Sequence, residues 1–113
     1  MKKVEAIIRK SKFKDVTKSL QEVGVNFFSY WDVTGLGIDK EDNDVSSMVI
    51  KETNNIKRCY LTIIVNDDFE EVTIKAILES ATSNAVGDGM LFVSSINQIY
   101  SIRTGEKGSN LLR

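Results

Sequence analysis

The alternation of apolar and polar residues divides the chain into six ordered segments and one long polar interruption. Val4-Glu5-Ala6-Ile7-Ile8 predicts a buried or half-buried strand. Phe13, Val16, Leu20 and Val23 then recur at helical spacing, and Gly24 follows in the position of a left-handed helix stop. From Val25 to Val33 the period falls to two. Val25, Phe27, Ser29, Trp31 and Val33 are expected on one face of a second strand, rich in aromatic and β-branched residues. Cys59 to Val65 predicts a third strand. Asp67 and Glu70 read as a capping box at the start of a second helix. Its inner face is expected to carry Phe69, Val72, Ala76, Ile77 and Ser80, with Ile74, Leu78 and Ala81 beside it. Ser83 to Gly89 reads as a loop and Met90 to Val93 as a fourth strand, after which Ile96, Ile99 and Ile102 continue the apolar signal into a polar tail, 104–113.

Between the second and third strands, residues 38–56 are polar and almost aperiodic, with an acidic cluster from Asp39 to Asp44. So long a loop inside a compact domain is uncommon and usually functional. The element order β-α-β-β-α-β predicts an α+β, ferredoxin-like fold: an antiparallel four-stranded sheet with both helices on one face. Residues 1–113 are read as one domain. The open face of such a sheet, carrying Tyr60 and Phe92, needs cover, so association of copies is expected.

Composition narrows the chemistry. With 15 basic and 16 acidic residues the net charge is −1, so no global field draws in nucleic acid or an anionic membrane. Histidine is absent, which removes the usual general base and the commonest metal ligand. The single cysteine, Cys59, excludes an internal disulfide and reads as a small buried hydrophobe. The apolar run Val4–Ile8 after Met1-Lys2-Lys3 is too short for a secretion signal or a membrane span, and a cytoplasmic protein is expected. No nucleophile–base constellation is readable, so a non-enzyme is expected.

Three segments carry a resemblance. Met1-Lys2-Lys3-Val4-Glu5-Ala6-Ile7-Ile8-Arg9 is the first, and Val33-Thr34-Gly35-Leu36-Gly37 at the foot of the long loop is the second. The third is Val86-Gly87-Asp88-Gly89-Met90-Leu91-Phe92-Val93, followed by Ile102-Arg103-Thr104-Gly105-Glu106. In order and spacing the chain resembles the P-II signal proteins over essentially its whole length. That resemblance implies a homotrimer of ferredoxin-like subunits and ATP or ADP in clefts between neighbours. It also implies a long loop, the T-loop, that docks on a transporter, an enzyme or a transcription factor.

Residue by residue, the resemblance assigns Val86, Gly87, Asp88 and Gly89 to the loop that wraps phosphates, where glycines let the main chain approach an anion. Asp88 is expected to fix that turn rather than meet a phosphate. Arg103 matches an arginine that reaches phosphates, and Ser29 a hydroxyl residue beside adenine. Thr62 and Ile64 lie where the family meets the adenine edge. Gly35, Leu36, Gly37 and Ile38 correspond to backbone near base and phosphates. The plain alternatives are a glycine-rich turn for 87–89, a solvated arginine at 103 and an ordinary strand position at 29.

The departures matter as much. Met90 stands for the usual lysine, Ser101 and Ile38 for usual arginines, which removes cations from the phosphate end. Asp39 replaces the glutamine that helps hold Mg²⁺ and 2-oxoglutarate. A carboxylate there is able to hold Mg²⁺ but repels a dianion. Arg58 replaces a lysine, keeping charge and changing geometry. Lys51 takes the place of the modifiable tyrosine. The expectation is an adenine-nucleotide regulator without 2-oxoglutarate sensing. The competing readings are a weak ATPase and a P-II-like binder of a different small effector.

Overall fold

A computed structural model describes residues 1–34 and 57–112. Strand β1 spans Lys2–Arg9, helix α1 Phe13–Glu22, β2 Ser29–Val33, β3 Arg58–Val65, α2 Glu70–Ala81 and β4 Gly89–Ser95. The four strands form one antiparallel sheet in the order β2-β3-β1-β4, the expected ferredoxin-like plan. β1 is paired along its length to β3, from Lys2 opposite Val65 to Arg9 opposite Arg58, and to β4, from Lys2 opposite Ser95 to Ile8 opposite Gly89.

The pleat of these strands sorts their side chains. Val4, Ala6 and Ile8 of β1 and Cys59, Leu61, Ile63 and Val65 of β3 are buried with Val16 and Leu20 of α1 and Ala76, Ile77 and Ala81 of α2. Burial, and secondarily the Asp32 carboxylate, pushes the Cys59 thiol up, so it stays protonated inside this core. Residues of the opposite parity line the open face, where Trp31 stacks on Tyr60 with ring centroids 4.6 Å apart and Phe92 meets Tyr60 edge-on at 6.1 Å. Tyr60 donates a hydrogen bond from its hydroxyl to Glu5, and this bond is the main reason its phenol titrates above its ordinary range. The polar contact lets an aromatic cluster stand on an open face with its hydroxyl partnered.

Three local expectations are corrected. The second strand begins at Ser29, not Val25, because α1 closes through Gly24 at φ +87° and Val25 N–H donates back to Leu20 at 2.9 Å. Val25 is thereby drawn into the core, while Phe27 is left outside it. No Asp67 capping bond forms at α2. Asp67 instead takes the N-terminal ammonium of Met1 at 2.9 Å, which lowers its carboxyl pKa. The inner face of α2 is Thr73, Ala76, Ile77 and Ala81, and Phe69 and Val72 are exposed. Thr73 fits the core because its hydroxyl donates to the Phe69 carbonyl at 2.6 Å.

Leu61 is wholly buried at the centre of the sheet. Leu61→Ala is expected to destabilise the protein by about 3 kcal/mol through lost burial and an unfilled cavity. Denaturant unfolding with an unchanged m-value checks this.

Candidate functional site

The loop between α2 and β4 is built around one carboxylate. Asp88 accepts from Ser83 N–H at 2.8 Å, from the Ser83 hydroxyl, and from the Thr82 hydroxyl at 3.2 Å. Arg9, at the end of β1, donates Nε to Asp88 Oδ1 at 3.1 Å and Nη2 to the Val86 carbonyl at 2.9 Å. Its register partner Arg58 donates Nη2 to the Gly87 carbonyl at 3.1 Å. The Ser83 bonds are the largest cause, with Arg9 adding to them, that holds the Asp88 carboxyl well below its ordinary range. Asp88 therefore fixes the turn, as the sequence led one to expect.

The two guanidiniums determine which way the loop's peptides face. In a planar trans peptide the carbonyl and the following N–H point in opposite directions. Drawing the Val86 and Gly87 carbonyls onto Arg9 and Arg58 turns the N–H groups of Gly87 and Asp88 to the other side. Successive N–H groups presented this way form a concavity suited to an anion. Gly87 sits at φ +93° and Gly89 at φ +113°, in the left-handed half of backbone space. A Cβ at Gly89 would lie 1.8 Å from the Ile7 carbonyl oxygen, so no other residue fits without moving the β1–β4 pairing.

The remaining sequence-derived candidates fall into two groups and an outlier. Ser29 pairs with Thr62 across β2 and β3, and Ile64 is two residues further along β3 on the same open face. On that face Ser29, Thr62, Glu5 and Phe92 form one row across the sheet, and Trp31, Tyr60, Ile7 and Met90 form the next. Met90, at the start of β4, is exposed beside the Val86–Gly89 loop. Ser29 and that loop therefore lie at opposite edges of the sheet. Arg103 is the outlier, exposed on a turn closed by Ser101 N–H to the Glu106 carbonyl at 2.8 Å and Gly105 N–H to the Ser101 carbonyl at 2.8 Å. Beyond β4 the chain contains that turn, a Tyr100–Lys107 bridge and, within the polar tail, a short 3₁₀ helix, Ser109–Leu112. Gly35, Leu36, Gly37 and Ile38, together with Asp39, Lys51 and the rest of the long loop to residue 56, lie outside the described residues.

Sequence reasoning did not single out Arg9, Thr82 or Ser83 for the loop. Arg9 is 79 positions from Asp88, and only the pairing of β1 with β4 brings them together. Among the described residues no group of three His, Cys, Asp or Glu is placed to hold a metal ion. No helix among them is long and apolar enough to cross a membrane.

Comparison with known proteins gives a consistent answer. The family model described as Nitrogen regulatory protein P-II matches residues 1–106. A nitrogen regulatory protein P-II from Rhodobacter capsulatus is 36% identical over 110 residues, covering 97% of this chain and 98% of that protein. Its counterpart from Cereibacter sphaeroides is 32% identical, with the same coverage. The one from Pasteurella multocida is also 32% identical, over 99% of this chain and all of that protein.

Because Asp88 is depressed in the folded protein, its contribution to stability is complete above its ordinary value of 3.8 and is lost as pH falls toward its folded value. Asp88→Asn is expected to melt at lower temperature than the wild type at pH 7. The gap should shrink as pH is lowered from about 4 to about 2. Thermal melts across that range check it, and a gap that stays constant would contradict it.

Proposed function

This chain belongs to the P-II family, whose members are regulatory signal transducers rather than enzymes, and we propose that it is a homotrimeric adenine-nucleotide sensor acting on a partner protein. ATP or ADP binds in clefts between subunits, its phosphates against Val86–Gly89 and Arg103. Its base lies near Ser29, Thr62 and Ile64, with 35–38 completing the cleft. The single observation that carries this reading is the geometry of the Val86–Gly89 loop. Its carbonyls are drawn onto Arg9 and Arg58, its glycines sit at positive φ, and Asp88 is consumed internally rather than aimed at an anion. P-II proteins bind adenine nucleotides, and the residues present fit the phosphate end of one.

The cation count sets the character of binding. Met90, Ser101 and Ile38 stand where the family carries cations, and each lost charge-assisted hydrogen bond costs roughly 1.5–3 kcal/mol. Binding is weaker than in ordinary members, and the γ-phosphate adds little, so ATP and ADP differ little. Asp39 is available to Mg²⁺ but repels 2-oxoglutarate, which is not an effector here. The loop 38–56 contacts the target, a transporter or an enzyme of nitrogen, amino-acid or polyamine metabolism, and the sensor works in the cytoplasm. Lys51 in place of the tyrosine leaves the loop without its uridylylation site.

Calorimetric titration tests the reading: ATP and ADP are expected to bind with similar affinity, and no binding of either at millimolar nucleotide would sink it. Restoring one cation with Met90→Lys is expected to tighten ATP binding by about tenfold, equivalent to about 1.4 kcal/mol. Adding 2-oxoglutarate is expected to leave ATP affinity unchanged with Mg²⁺ present, and a measurable dependence would overturn that part of the account.

A further inference from the structure

The two halves of the nucleotide cleft are far apart within one chain. Ser29 is on the β2 edge, the Val86–Gly89 loop on the β4 edge, and three strand spacings of about 4.8 Å lie between them. On the inter-subunit reading proposed above, a second copy completes the cleft, its β2 edge meeting the β4 edge of the first. Such a contact joins different surfaces and gives a closed ring when its rotation closes.

The two edges are complementary. Beside β4, between the end of α2 and the sheet, lies a cavity of about 160 Å³ lined by Ile8, Ile77, Ala81 and Leu91, with Leu78 and Gly89 at its mouth. An apolar cavity of about 150 Å³ accommodates one benzene ring. At the opposite edge Phe27, two residues before β2, is 89% exposed, against 63% for Tyr100, 58% for Tyr30 and 46% for Trp31. It is thus the most exposed aromatic side chain among the described residues. Charge agrees with this pairing. In the segment 10–22 beside β2, Lys10 is paired with Asp32 of its own chain, and Lys12, Lys14 and Lys18 stand against Asp15 and Glu22. In the segment 67–81 beside β4, Asp67 is taken by the Met1 ammonium and Glu79 by Lys75, which leaves the negative charge of Asp68, Glu70 and Glu71.

We propose that Phe27 of a second copy seats in the cavity between α2 and β4, and that this contact sets the register of the oligomer and assembles the nucleotide cleft. Because Asp88 and Gly89 of the phosphate loop also line the cavity, seating Phe27 would bring Ser29, two residues later, up to that loop. The inference rests on the proposed trimer and names the contact that builds it. Phe27 lies outside the core of its own chain, so removing it leaves the subunit intact while removing the contact.

Analytical ultracentrifugation over a dilution series, combined with ADP titration, tests the contact. The wild type is expected to be a trimer. Phe27→Ala is expected to raise the concentration at which it dissociates at least tenfold and to weaken ADP binding in step. Leu78→Glu, which places a carboxylate at the cavity mouth on an already exposed position, is expected to do the same. Each variant should retain the wild-type far-ultraviolet circular dichroism. The double variant should lose no more than either single one, since both remove one contact. A trimeric wild type whose dissociation is unchanged by either substitution would overturn the contact and leave the trimer standing. Fully additive losses in the double variant would also overturn it. A wild type that is monomeric throughout would overturn the trimer and the contact together.

Discussion

Strand β1 is the element on which the molecule turns, because it is paired on both sides over nearly its whole length and its pleat assigns alternate residues to different tasks. Val4, Ala6 and Ile8 face the helices and join the core. Glu5, Ile7 and Arg9 face the other way and shape the open surface: Glu5 holds the Tyr60 hydroxyl, and Arg9 holds the loop before β4. The Ile7 carbonyl, in turn, leaves room only for a glycine at position 89. A slip of one residue in this pairing would send Arg9 into the core and Ile8 to the surface. The core and the candidate phosphate loop thus depend on the same register.

From that register the loop acquires its character. Two guanidiniums bind its carbonyls, one carboxylate is encircled by donors from its own turn and from Arg9, and peptide planarity turns the N–H groups of Gly87 and Asp88 away from the guanidiniums. Arg9 and Arg58 reach the loop through its carbonyls, at Val86 and Gly87. The proposed nucleotide site thus rests on backbone geometry more than on charge.

Much of this was legible in the sequence. The six elements, the ferredoxin-like order and the membership of the P-II family follow from periodicity and from motifs such as Gly87-Asp88-Gly89. Asp88 was legible as a turn-former because it stands between two glycines in a loop, but its donors, Ser83 and Thr82, were not. The errors have physical causes too. Val25 and Phe27 match a two-residue period, but the helix stop at Gly24 folds Val25 back to Leu20 before any strand can begin. Asp67 has the spacing of a capping box but meets a stronger partner, the terminal ammonium, that no local pattern encodes. Thr73 looks polar in sequence, yet its hydroxyl is satisfied within its own helix and it packs like a valine. The role of Arg9 was invisible because it depends on pairing across 79 residues.

In the proposed sensor nucleotide is held between two copies, its phosphates on the Val86–Gly89 loop of one and its base beside Ser29 and Thr62 of another. A crystal structure of the protein grown with ADP tests this most directly. The account predicts the diphosphate within hydrogen-bonding distance of the Gly87 and Asp88 N–H groups of one chain and the adenine against the β2 edge of its neighbour. ADP held wholly within one chain, or absent from the 87–89 loop at millimolar concentration, would contradict it.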